Sequence, residues 1–280
     1  MKLLYPLAKR FIAGYDFESA KPKIDKLMDD GFNVSIDYVG ELSKNINDCS
    51  LAARQYKEIS DYYKGKKIDI SIKPTQLGLK FDPKFCEDIL FLITKTAEEN
   101  GHTIRLDMED SSATQATIDL CIRIRKHLPN IGVAMQSNLL RSEDDFKRLL
   151  KNRISIRLVK GAYKEKKEIA IQDELTLETT FYDYAAKLYS MKSNRPAIAT
   201  HDEELLEDIT EMITDPKYFD YEFLYGIRRD LQRRFRDDGY FVRVYVPFGA
   251  DWFPYTLRRI KEWKNLKFML INIMRELVKR

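Results

Sequence analysis

The chain has 280 residues, 44% of them hydrophobic and 33% charged, with a formal net charge of +4. That length suits one large α/β domain or two ordinary ones, and the apolar share is enough for a real core. Both signs of charge are interspersed, which argues against a dedicated nucleic-acid binder, and no window reaches the roughly 20 apolar residues of a membrane span. Cys49, Cys86 and Cys121 are widely spaced without a CxxC pair and read as reduced thiols of a cytoplasmic protein. His102, His127 and His201 lack metal-ligand spacing, so no protein-bound metal is expected.

In chain order, residues 1–30 carry a short apolar patch without signal-peptide length, and predict extra helix ahead of the first strand, plugging or bracing the domain. Strand character then recurs at 33–39, 68–73, 103–108, 132–136, 155–159, 197–200, 221–224 and 241–246. Amphipathic stretches at 45–63, 83–100, 113–126, 178–191 and 203–213 fall between them. Alternating strands and helices predict parallel pairing, and eight such units close into a (β/α)8 barrel of the TIM type. Some strands read as continuous apolar runs, as expected when both faces are covered. No Pro-, Gly- or Ser-rich linker divides the chain, so 1–280 reads as one barrel domain. An open doubly wound sheet is the competitor; the count of eight and the lack of GxGxxG after an early strand favour the barrel.

Chemistry in such a barrel sits where strands end. Those ends supply Asp37, Lys73, Asp107, Gln136, Arg157 with Lys160, His201, Tyr225 and Tyr245. Each also has a bland reading: Asp37 or Asp107 as a helix cap, His201 as a satisfied loop histidine, Tyr245 as core. The run Arg157-Leu158-Val159-Lys160-Gly161-Ala162-Tyr163 is the most informative. A strand that delivers Arg, Lys and a glycine turn to one place suggests an anion or an electron-rich ring at its end. The alternative is a buried strand with charges snorkelling at its rim. Near the C-terminus, Tyr255, Arg258, Arg259 and Glu262 fall at i, i+3, i+4 and i+7 of a helix. Two adjacent guanidiniums can clamp a carboxylate, and a solvated basic face is the alternative.

At these residues the chain resembles the proline dehydrogenase family in its monofunctional bacterial form. The motifs run in order along nearly the whole chain: Ser35 to Glu41, Ser71-Ile72-Lys73, Leu106-Asp107-Met108-Glu109, Gln136, and Arg157 to Tyr163. They continue with Ala199-Thr200-His201, Phe223-Leu224-Tyr225-Gly226, Val244 to Gly249, and Tyr255 to Glu262. The resemblance implies a distorted barrel that holds FAD, with residues 252–280 as a helix over its mouth. It implies oxidation of L-proline to Δ1-pyrroline-5-carboxylate by hydride transfer to flavin N5, with electrons passed to a membrane quinone. Arg157 would lie near flavin N5. Met108, Gln136, Lys160, Gly161, Ala162, Thr200 and His201 would complete the cofactor shell. Arg258 and Arg259 would grip the proline carboxylate, Lys73 and Asp107 line the polar edge, and Leu224, Tyr245 and Tyr255 wall the ring.

Glu41 is expected to pair with Arg258 or Arg259 in the substrate-free enzyme, as a gate. Residues 268–280, apolar then basic, are expected either to touch the inner face of the cell membrane or simply to pack against the barrel. Three departures from the family pattern stand out: Gln136-Ser137-Asn138 in place of Gln-Ala-Tyr, Phe248 in place of Tyr, and residues 174–180 without a basic residue. The last bears on contacts with the adenine end of the cofactor. Two other readings are another flavin barrel resembling methylenetetrahydrofolate reductase, and a non-catalytic surface-binding protein using the basic stretch 228–236. For that stretch a solvated helix face is the simpler account.

Overall fold

Polar and apolar residues alternate along most strands, and that alternation sets the architecture. The protein is described by a computed structural model covering residues 10–253, 255 and 256. Its strands are β1 (Asn33–Tyr38), β2 (Asp69–Ile72), β3 (Thr103–Leu106), β4 (Ile131–Gln136), β5 (Ser155–Val159), β6 (Ala197–Ala199), β7 (Asp220–Leu224) and β8 (Phe241–Phe248). All pair in parallel in sequence order, and β8 returns to β1 to close the barrel. The predicted (β/α)8 barrel is therefore the fold.

Along β1, β2, β3, β5, β7 and β8 the apolar set (Val34, Ile36, Ile70, Ile72, Ile104, Leu106, Ile156, Leu158, Tyr221, Phe223, Val242, Val244 and Val246) belongs to one core cluster with the helices. The intervening set (Ser35, Asp37, Asp69, Ser71, Arg105, Asp107, Ser155, Arg157, Asp220, Glu222, Arg243 and Tyr245) fills the barrel interior and hydrogen-bonds across it. The expected continuous apolar runs are β4, apolar from Ile131 to Met135, and β6, Ala197–Ala199. The other strands are buried on both faces, but their inner face is polar, because its residues satisfy one another.

Among the described residues, helices α1 (Phe17–Asp29), α2 (Ile46–Tyr62), α3 (Pro83–Asn100), α4 (Ser111–Arg125), α5 (Ser142–Lys151), α6 (Glu174–Ser190), α7 (Glu203–Met212) and α8 (Arg229–Asp237) pack around the sheet. Six of them begin at an Asp or Asn whose side chain accepts a first-turn amide: Asp16, Asn45, Asp82, Asp110, Asp173 and Asp202. Each such cap contributes about 1 kcal/mol. The strand-end acids Asp37 and Asp107 are not among them. Helix α8 falls on the stretch 228–236 that reads as a helix face, whereas α5 is not among the predicted helices. Helix α5 has ten residues and buries only two apolar side chains, Phe146 and Leu149.

Within the described residues, the leading segment from residue 10 onward braces the barrel. Helix α1 packs on β1 and β8, with the Phe17 ring 5.5 Å from Phe248 and 5.6 Å from Tyr62 at the end of α2. Residues 10–14 then cross the C-terminal ends of β7 and β8. The Ala13 amide donates to the Pro247 carbonyl at 2.8 Å, and the Gly249 amide to that of Gly14 at 3.1 Å. Gly226 is required at this crossing: its φ is +77°, and a Cβ there would sit 1.7 Å from the Arg10 carbonyl oxygen. A small second core of Ile12, Val39, Trp252 and Tyr255 joins the residues after β8 to the leading segment. Arg258, Arg259, Glu262 and the stretch 268–280 lie outside the described residues. The three cysteines are buried thiols, and burial pushes Cys86 and Cys121 up to about 12.

Candidate active site

Because successive inward residues on a strand stand one above another, the barrel interior is layered. At the N-terminal ends of the strands, Asp69 lies 3.2 Å from Arg105 and 3.5 Å from Arg243, and Arg243 also meets Asp220 at 2.7 Å. One level up, Arg157 makes four bonds from a buried guanidinium. Its Nε donates to Glu222 at 2.6 Å, Nη1 to Asp107 at 2.7 Å, and Nη2 to the Ser35 and Ser71 hydroxyls at 2.8 and 2.9 Å. At the C-terminal ends, Lys73 Nζ donates to Asp37 at 2.8 Å and lies 3.3 Å from both Asp107 and the Tyr245 hydroxyl. That hydroxyl donates to Asp107 at 2.6 Å. Asp107 thus gathers Arg157, Lys73 and Tyr245 on one carboxylate.

The charges in this upper layer are set by competition between burial and partners. Burial alone would raise Asp107, but Lys73 and Arg157 outweigh it and hold the carboxyl below its usual range. For Lys73 burial works downward, while Asp37 and Asp107 push the ammonium well above its ordinary value. Asp37 is raised, because its burial exceeds what Lys73 returns. Burial likewise raises Glu222 despite Arg157, and lifts the Tyr245 phenol, aided by Asp107. Of the three acids, Asp107 is the one whose charged form its cations favour beyond the cost of burial.

Above these groups opens a cavity of about 410 Å³ at the mouth. Lys73, Asp107, Arg157 and Tyr245 form its floor; Met108, Ala134, Val159, Leu224 and Tyr255 give it apolar wall; Gln136, Thr200, His201 and Glu41 also line it. The loop after β5 contributes Lys160, Gly161 and Ala162. This loop is pinned from beneath: the Asn138 amide donates to the Lys160 carbonyl at 3.0 Å, and the Ile171 amide to that of Asn138 at 2.8 Å. Gly161 has a φ of +122°, and a Cβ there would fall 2.3 Å from the Asn138 side chain. The backbone conformation is what demands glycine here, and the Asn138 side chain fills the space a Cβ would take.

Apart from Asp37, which bonds Lys73, the sequence-predicted site residues within the described region line this one cavity with one exception. Tyr225 does not; its ring lies beside the Arg229 guanidinium at 5.9 Å. His201 Nε2 accepts the Leu224 amide at 3.0 Å, so a neutral ring carries its proton on Nδ1. Gln136 Nε2 donates to the Glu109 carbonyl at 3.0 Å. Phe248 needs no hydroxyl where it lies, against the rings of Phe17 and Tyr38. Glu41 precedes Leu42, whose φ is +53° and whose amide donates to Thr75 at 3.2 Å. Sequence reading missed Glu222, Ser35 and Ser71 as the seat of Arg157. The signal was present: in Asp220-Tyr221-Glu222-Phe223 the acids recur with period two inside an aromatic strand.

The basic stretch 228–236 is largely neutralised. Arg228 binds Glu203 at 2.6 Å and Asp230 at 3.2 Å, and Arg234 binds Glu203 and Glu207 at 2.7 and 2.9 Å. That pairing suits a solvated helix face better than a docking surface. Among the described residues no helix is long and apolar enough to cross a membrane.

A parallel eight-stranded barrel with cations, an acid and an apolar wall gathered at the strand C-termini defines an enzyme of the (β/α)8 class. The family model for proline dehydrogenase matches residues 20–269, and the chain belongs to that family of oxidoreductases. It is 31% identical over 276 residues to proline dehydrogenase 1 of Bacillus subtilis subsp. natto, covering 96% of this chain and 91% of that one. The proline dehydrogenase of Deinococcus radiodurans is 32% identical over 285 residues, covering 97% and 91%. Among solved structures, proline utilization A from Bdellovibrio bacteriovorus, inactivated by N-propargylglycine, superposes with a TM-score of 0.86 at 21% identity. That match covers 95% of this chain but only 33% of the other, so the likeness is one of fold. With family membership established, the reductase-like and purely binding readings fall away.

Proposed function

We propose that the protein oxidises L-proline to Δ1-pyrroline-5-carboxylate with FAD bound in the mouth cavity, and passes the electrons to a membrane quinone. The observation that carries this reading is Arg157, fixed on the cavity floor by Asp107 and Glu222 beside an apolar wall. The donor set suits a flavin. A permanent cation faces the cavity, a buried amide (Gln136) lines its side, and a glycine loop rims it. A bound flavin supplies the hydride acceptor. In the substrate the Cδ–H bond breaks with its electron pair leaving as hydride, and the nitrogen, having lost a proton, closes the C=N bond.

The chain's own groups do the positioning. Arg157 offers fixed positive charge where electron density accumulates, and its four bonds leave little reorganisation to be made during the reaction. Lys73, Asp107 and Tyr245 form a hydrogen-bonded polar edge, while Leu224 and Tyr255 wall the substrate ring and exclude water. Arg258 and Arg259, outside the described residues, are assigned to the proline carboxylate, with Glu41 as their counter-ion when substrate is absent.

The test is optical. Purified protein should be yellow, should release its chromophore on acid denaturation, and should bleach anaerobically when proline is added. A colourless protein, or a flavin indifferent to proline, would overturn the reading. Arg258→Met and Arg259→Met should each weaken proline binding by about one to three orders of magnitude at normal flavin content.

A further inference from the structure

Lys160 stands at the end of β5 on the rim of the mouth cavity, and its ammonium is already engaged twice. It lies 2.6 Å from Asp202 and 3.0 Å from Glu178. The two carboxylates are not equivalent. Asp202 is the N-cap of α7, where its other oxygen accepts the Leu205 amide at 3.3 Å, so its place is set by the helix. Glu178 projects from the second turn of α6 onto Lys160. One cation between two carboxylates gives this corner of the rim a formal charge of minus one. Burial opposes the charge on Lys160, but Asp202 and Glu178 raise its basicity, and Lys160 in turn keeps Asp202 below the usual carboxylate range despite burial. An anion reaching this rim therefore meets a spent lysine and a surplus acid.

Resting on the flavin reading above, we propose that Glu178 is a specificity-determining counter-charge. By occupying Lys160 it weakens the cavity's hold on the phosphate-bearing part of a flavin nucleotide, and leaves the hold on the neutral ring untouched. Removing the Glu178 charge leaves a balanced Lys160–Asp202 pair, with one lysine donor free to turn outward.

The experiment titrates apoprotein with riboflavin, FMN and FAD by quenching of flavin fluorescence, for wild type, Glu178→Gln and Glu174→Gln. The last removes a charge one turn earlier on the same helix. In Glu178→Gln the dissociation constants for FMN and FAD are expected to fall about threefold to tenfold at low ionic strength. The gain should shrink in about 0.5 M salt, with riboflavin unchanged. Glu174→Gln should match wild type. Glu178→Ala carries the same test if the glutamine variant does not fold. Equal shifts for all three flavins, an equal gain in Glu174→Gln, or no shift for either phosphate-bearing flavin while riboflavin binds overturns the proposal. Binding of none of the three by wild type removes the flavin reading itself, and this inference with it.

Discussion

At the N-terminal end of the barrel Arg105 and Arg243 share Asp69, while at the C-terminal end Arg157, Lys73 and Tyr245 converge on Asp107. Both groups are buried, both are held by charge-assisted bonds, and each lies beside a cavity, of about 310 Å³ and about 410 Å³ respectively. What differs is the company the charges keep. Around the lower cavity the walls are mainly polar, with Glu98, His102, Asn130 and Arg195 beside the ion pairs. Around the upper one the strand ends run on into Met108, Ala162, Leu224 and Tyr255. Charge beside an apolar wall can orient a small organic molecule and keep water from it; charge beside more charge mainly holds the barrel together. Buried ions alone do not mark an active site.

The largest effect should come from the lower group. Asp69→Asn leaves two buried arginines short of a carboxylate, and should cost about 3–5 kcal/mol of stability in urea titrations with turnover per folded molecule preserved. Asp69 is buried, which alone would raise it, but Arg243 and Arg105 depress it below its ordinary 3.8. Its stabilisation is therefore complete above about pH 4 and is lost as pH falls through the folded value. The gap between wild type and variant should hold from neutrality to about pH 4 and close below it. Arg157→Met reverses the balance: proline-driven flavin reduction should slow by about 10²–10³-fold, read by stopped flow. Flavin should be retained better than that. A wild-type rate would remove Arg157 from the chemistry.

Tyr245→Phe deletes one donor to Asp107 and leaves its two cations in place. Its stability should fall by about 0.5–1.5 kcal/mol, with a smaller loss of turnover than at Arg157. Should it instead equal Arg157→Met, the hydroxyl takes part in the reaction. The smallest effect is expected at Glu207, an exposed partner of Arg234 on the α8 surface. Glu207→Gln should shift the unfolding midpoint by an amount worth about 0.2–1 kcal/mol at low salt and less at high salt. A change in flavin reduction there would give the basic stretch a function that its pairing argues against.

Much of the fold and site is legible in the sequence. The eight strands recur because a β/α alternation has only one parallel closure at that count, and the strand ends Asp37, Lys73, Asp107, Gln136, Arg157 and Tyr245 can be named because chemistry collects there. Helix α5 is hard to read because it is short and buries only Phe146 and Leu149, whereas 228–236 shows its helix through a charged face. Glu222 is easily passed over because an acid inside an aromatic strand looks like a solvent-facing residue until the barrel closes.

By itself, the sequence determined the order of elements, the fold and the set of residues delivered to one end, all of which stem from local periodicity and motif order. Only the tertiary structure decided who meets whom. Ser35 and Arg157 are 122 residues apart yet hydrogen-bonded, and Lys73 and Tyr245 are 172 apart. Barrel closure fixes such pairings through strand register, a property no local pattern encodes. It also decided that Asn138 fills the space beside Gly161, that residues 10–14 brace the β7–β8 ends, and that Lys160 is held by Glu178. Each of these contacts has a loop or rim residue on at least one side, and such residues meet their partners only after the strands beneath them have been set side by side.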